Sequence, residues 1–164
     1  MNANAFRHFY NYHFAENRKV WGHVAALSFE QFTQPIAYAQ GALREQVIHL
    51  LDVEDVWFSA LRGAQPAEPI PASAVDDRDL IRAHWDKVEE NIRAYLAALQ
   101  DETLFSKPIT EPEEDKDLFV WQVLLQVANH ATDHRAQILR ALHDMGVKTE
   151  AQDYIFYAYE NPPR

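Results

Sequence analysis

Apolar positions fall into long stretches with helical spacing, separated by segments that carry most of the prolines. From Phe6 to about Ala26, the residues Phe6, Phe9 or Tyr10, Phe14, Asn17 and Trp21 recur every three or four positions. That spacing predicts a first helix with an inward aromatic stripe. Ser28 to Gln40 holds Pro35 among mixed polar residues and reads as a linker, and its Ser28-Phe29-Glu30-Gln31 spelling predicts a helical turn with a capping box. A second helix starts near Gly41, carries Leu43, Val47, Leu50, Leu51, Glu54, Trp57, Phe58 and Leu61, and stops at Gly63. Residues 63–75, with three prolines, form a connection.

Asp76 or Asp77 then caps a third helix, whose apolar positions are Leu80, Ile81, His84 or Trp85, Val88, Ile92, Tyr95, Leu96 and Leu99, ending near Gln100. Beyond it, Pro108 and Pro112 precede a charged tip at 113–117, and the apolar ends at 108–110 and 118–120 predict an irregular hairpin beside the helices. A fourth helix over about Val120 to Asp144 turns Val123, Leu124, Val127, His130, Ala131, His134, Ile138 and Leu142 inward, with Gly146 as its stop. The aromatic tail AQDYIFYAYE predicts a short last helix packed back on the rest. The expected fold class is all-α, a four-helix bundle with long connections and a short C-terminal helix, in one domain over 1–164.

Charge narrows the function. Asp and Glu outnumber Lys and Arg 25 to 15, for a net charge of -10, and no basic run stands out, so nucleic acid is excluded as an expected partner. The chain has no cysteine, which removes disulfides, thiol nucleophiles and thiolate metal sites. Any metal must be held by nitrogen and oxygen. No window approaches the roughly 20 apolar residues of a membrane span, and the start lacks the pattern of an export signal. A cytoplasmic protein with no membrane partner is expected.

Of eight histidines, His8, His13, His23, His84 and His143 read as surface or hydrogen-bonded residues. His130 and His134 differ: four apart on an inward stripe, their imidazoles lie over one another. Two polar rings in a core need partners, and a divalent ion serves both. The spacing by itself does not define a metal site. A zinc-peptidase motif needs His-Glu-x-x-His, whereas this segment reads His130-Ala131-Thr132-Asp133-His134, without the Glu that acts as base. His49 lies mid-way along the second helix among Val47, Leu50 and Leu51, with Glu45 and Asp52 within one turn. A bundle brings it opposite the pair, giving three nitrogens and an open coordination position. Asp52 and Asp133 are candidates for orienting an imidazole through its other nitrogen, or else ordinary solvated carboxylates. Arg135 and Gln137 read foremost as structural residues and otherwise as anchors for the site or the adjacent tail, and Glu54, Trp57 and Asn129 as cavity lining with no assigned role. No side chain identifies itself as a general base.

At His49, His130 and His134 the chain resembles the DinB/YfiT-like metalloprotein superfamily. GALREQVIHLLDVEDVWFSALRG looks like its second helix, and LFVWQVLLQVANHATDHRAQILRALHDMG like its metal-binding helix and following turn. YNYHFAENRKVW and DYIFYAYE are similar to its first and last helical segments. The resemblance places the family's three ligands on His49, His130 and His134, and its His-x-x-x-His-Arg-x-Gln element on His130, His134, Arg135 and Gln137. Many relatives carry a further histidine where this chain has Asp133, a change to the surroundings of the ligands that leaves the ligand set intact. The resemblance implies a metal held by three histidines, for which the nitrogen donors suit zinc or nickel foremost and iron as a third choice, and in some relatives transferase or isomerase chemistry with a low-molecular-weight thiol such as bacillithiol or mycothiol. It also implies a homodimer.

Three readings follow. In the first, a metal-dependent enzyme, foremost a transferase and otherwise a hydrolase or isomerase, joins such a thiol to a small electrophilic substrate. The thiol then comes from outside the chain, which has no cysteine of its own. In the second, the ion only staples helices two and four of a non-catalytic metalloprotein. In the third, a metal-free bundle acts through its surface. Residues that choose a substrate are expected in the loops Ser28 to Gln40 and Ala64 to Val75.

Overall fold

Helices form where a capping side chain and an apolar stripe coincide. The computed structural model describes residues 1–39 and 41–162. α1 (Ala3–Ala25) begins at Asn2, whose side chain accepts the Ala5 N–H at 2.9 Å. α2 (Phe29–Thr33) is the predicted turn, with Ser28 and Gln31 closing its capping box. Gln40, the last residue of the predicted linker, lies outside the described residues. α3 (Leu43–Arg62) ends at Gly63, which takes a left-handed φ of 62°. In α4 (Arg78–Ala98), Asp77 rather than Asp76 is the cap, accepting the Leu80 N–H at 2.9 Å. α5 (Val120–Asp144) has the predicted bounds and stops at Gly146, whose φ of 77° lets Gly146 and Val147 donate back to the carbonyls of His143 and Leu142. α6 (Tyr154–Glu160) is the short last helix.

Contacts between side chains fix the directions of the four long helices. Tyr10 donates to the Leu124 carbonyl and Asn17 meets Arg135, so α1 and α5 run the same way. Arg7 caps the carbonyls of Leu96 and Leu99 while Trp21 packs edge-on against Trp85, so α4 runs opposite to α1. Gln46 meets His134 and His49 meets His130, which sets α3 against α5. Phe58 against Tyr95 aligns α3 with α4. The first and fourth long helices therefore run against the middle two, and the long connections at 63–77 and 99–119 make that order possible.

The buried faces of the four long helices are the predicted ones with small shifts, and Leu80, expected on the apolar face of α4, is exposed in its first turn. In α1, Phe6, Tyr10, Phe14 and Asn17 are buried; Tyr10 takes the inward place and Phe9 packs sideways against Tyr12 and Tyr154. In α4, Trp85 enters the core rather than His84, as Ile81, Val88, Ile92 and Leu96 demand from the same stripe.

The hairpin expected around 108–120 is not there. That segment contains no strand among the described residues, only a short 3-10 turn at Glu113–Asp115, with another at Glu102–Phe105 just before it. Pro108 and Pro112 have no N–H for a ladder, and the five charged residues at 113–117 favour water over pairing. Leu104 and Ile109 pin the segment to the core instead. No helix among the described residues is long and apolar enough to cross a membrane.

Candidate metal centre

Three imidazoles converge where α3 crosses α5. His49 lies on α3 beside the buried Val47, Leu50 and Leu51, and His130 and His134 stand one turn apart on α5. Their ring centroids are 5.1 Å (His49–His130), 4.7 Å (His49–His134) and 4.3 Å (His130–His134) apart. One nitrogen from each ring lies within 4.8 Å of the others. An ion with nitrogen bonds of about 2.0–2.1 Å bridges such a set with small side-chain movements. His134 is buried whereas His49 and His130 are half-buried, so the cluster has a closed side and an accessible one.

The chemistry of the donors fits a divalent cation. Gln46, buried on α3 one turn before His49, holds its Oε1 3.1 Å from His134 Nδ1. The amide oxygen accepts, so the ring proton sits on Nδ1 and the Nε2 lone pair is left for a metal. Burial lowers the pKa of both His130 and His134, and the neighbouring histidines add to the effect; the Asp133 charge opposes it in both, and that of Glu54 in His130. The neutral, lone-pair-bearing imidazole is thereby favoured, which is the form that binds metal.

Beside this cluster runs a buried polar network that joins three helices. Arg135, adjacent to His134 and fully enclosed, donates to His13 Nδ1 (3.2 Å), Asn17 Oδ1 (2.8 Å), Thr132 Oγ1 (3.0 Å) and Gln152 Oε1 (3.0 Å). Since His13 Nδ1 accepts from the guanidinium, its proton is on Nε2, which donates to Glu54 Oε1 at 2.9 Å. Asn17 donates to the same oxygen at 3.0 Å. Burial, helped by the Glu54 charge, raises the Tyr10 pKa well above its ordinary value, and Tyr10 remains a neutral donor to the Leu124 carbonyl. Through Gln152, whose backbone carbonyl also takes the Tyr12 hydroxyl, the network reaches the segment leading into α6.

The remaining candidates divide. Asp133 is exposed and accepts a bond from Gln137 at 3.1 Å; it acts on His130 and His134 by charge, while Gln46 makes the orienting hydrogen bond to His134. Asp52 is half-buried within electrostatic reach of His84 and His49, and burial raises its pKa. Arg135 anchors both the tail and the polar network. Glu54 is buried beside the site, Asn129 is exposed, and Trp57 borders a cleft of about 800 Å³ with Gln65, Pro66 and Glu111 that includes none of the three histidines. Sequence reading missed Gln46 and His13. The position of Gln46, three before His49 on a face with Leu43, Val47 and Leu50, was the available signal: an amide on a buried stripe needs a partner.

An antiparallel helix pair that gathers three imidazoles, with one side open, is a framework able to hold a divalent ion inside a helical bundle. The DinB family model matches residues 1–164, and the chain belongs to the DinB family. No curated protein matches the chain.

Proposed function

We propose that the protein is a divalent-metal-dependent transferase in which His49, His130 and His134 hold the ion and a low-molecular-weight thiol is the cosubstrate. The observation that carries the reading is the convergence of three donor nitrogens within 4.8 Å, with Gln46 fixing the tautomer of the most buried one. Zinc and nickel suit three imidazoles best, and iron accepts the same donors. When bound, such an ion lowers the pKa of a thiol or water at its open position. The chain's own part is to bring the three rings together, favour the neutral form of His130 and His134, and wall off one side of the cluster. The absence of cysteine from the sequence requires the thiol to arrive with a cosubstrate, such as bacillithiol or mycothiol, and a small electrophile to receive it. A homodimer fits the exposed apolar residues Leu125, Tyr154, Ile155, Phe156 and Tyr159.

The test is turnover. Protein loaded with zinc or nickel is mixed with bacillithiol or mycothiol and monochlorobimane, and the fluorescent conjugate is followed against the His49→Ala, His130→Ala, His134→Ala variant. Metal-dependent conjugation lost in the variant supports the transferase. A bound ion with no turnover across thiols and electrophiles contradicts it and leaves an ion that staples α3 to α5.

A further inference from the structure

Glu54 is the one carboxylate sealed in the core next to the histidine cluster among the described residues, and only half of it is satisfied. Its Oε1 receives both His13 Nε2–H and Asn17 Nδ2–H, at 2.9 and 3.0 Å. Its Oε2 is equally buried and has no hydrogen-bond partner. A buried carboxylate oxygen left without a donor is costly, and a core arranged this way implies a donor that is not a side chain. Both donors to Oε1 come from α1, so that oxygen is held on the α1 side of the carboxylate.

The helix register sets where Glu54 stands relative to the three histidines. α3 and α5 are antiparallel, with Gln46 level with His134 and His49 level with both His130 and His134. Glu54, eight residues beyond Gln46 on α3, is thus on the His130 side of the cluster. The cluster is flanked along α3 by an amide that fixes a ligand ring and a carboxylate that touches none of the three rings by hydrogen bond.

We propose that Glu54 is a ligand-binding residue whose Oε2 accepts a hydrogen bond from a hydrogen-bearing ligand, a water or a thiol, held beside the three histidines. The inference rests on the metal reading of that cluster. Arg135, His13 and Asn17 are positioning residues for it, because the Arg135 to His13 to Glu54 chain sets which oxygen faces inward. The arrangement favours ligands that bring a hydrogen and disfavours anions that bring none.

Full-length parent and Glu54→Gln proteins loaded with cobalt(II) and titrated with azide, followed through the cobalt visible bands, test this. Glutamine keeps an oxygen for His13 and Asn17 and replaces Oε2 with an N–H donor. Azide carries no hydrogen, so the carboxylate oxygen repels it and the amide attracts it. The expected result is unchanged cobalt stoichiometry with azide affinity raised about tenfold in Glu54→Gln. Equal cobalt content with equal azide affinity overturns the inference and leaves the metal reading standing. A parent that takes up no cobalt overturns both. Should Glu54→Gln not fold, Glu54→Asp draws the oxygen back by one carbon; a smaller rise in azide affinity supports the inference and an unchanged affinity overturns it.

Discussion

Replacing Arg135 with methionine removes the cation on which the buried polar network is built while nearly filling its volume. The side chain has no solvent exposure and donates to His13, Asn17, Thr132 and Gln152 at 2.8–3.2 Å. Without it, four acceptors lose their donor, and the Glu54 carboxylate stays in the core without the positive charge behind His13. Breaking a buried charged network by removing one partner costs about 3–5 kcal/mol. In a chain of this length that corresponds to a fall in Tm of roughly 10 °C or more. Urea unfolding followed by far-UV circular dichroism, with chelator present so that no metal contributes, reads the loss directly. Arg135→Lys keeps the charge but offers one ammonium in place of a planar fork, and is expected between the two. Arg135→Met within about 1 kcal/mol of the parent would refute the reasoning, because the network would then contribute little more than a solvent-exposed ion pair does.

Two glycines make opposite predictions from the same substitution: Gly22 lies inside α1 with open space around an added Cβ, so Gly22→Ala is expected to raise stability by about 0.5–1 kcal/mol in urea unfolding. Gly63 has equal space but a φ of 62°, so Gly63→Ala is expected to lower stability by about 1 kcal/mol in the same assay. Gln46→Leu removes the oxygen that holds His134 Nδ1, and zinc affinity by calorimetry is expected to fall about 10- to 100-fold with the fold intact. Burial lowers the pKa values of His130 and His134 in the fold, so the metal-free folded state binds fewer protons there than the unfolded chain. The contribution is complete above the unfolded histidine pKa of about 6.5 and is lost as pH falls through the lower folded values, so the urea midpoint of chelated protein is expected to drop on acidification below that pH. His130→Gln with His134→Gln should flatten that drop; an unchanged slope contradicts the assignment.

Local chemistry made the helices legible. Asn17 on an aromatic stripe, Ser28 before Gln31, Gly63 and Gly146 after apolar runs, and the strict spacing from Val123 to Leu142 each state a helix face or end without help from distant residues. Where the pattern left two choices, tertiary packing decided: Trp85 over His84 and Tyr10 over Phe9, because the larger or more satisfiable side chain filled the inward position. At 108–120, short apolar ends resembled strands, yet prolines and a charged tip prevented pairing, and Ile109 anchored the segment as an isolated contact. The histidine cluster was legible because His130 and His134 share a stripe and His49 lies on a second apolar face. The partners of those side chains were not. Gln46 finds His134, and His13 finds the enclosed Arg135, across helices separated by dozens of residues, and nothing in local spacing announces which buried polar groups will meet.

Metal content measured by elemental mass spectrometry on untagged protein, beside the His49→Ala, His130→Ala, His134→Ala variant, tests the central claim most directly. The account predicts about one divalent ion per parent chain, the stoichiometry of a single three-nitrogen site, and none in the variant. No ion in the parent after reconstitution with zinc and with nickel, or equal metal in both proteins, would contradict it.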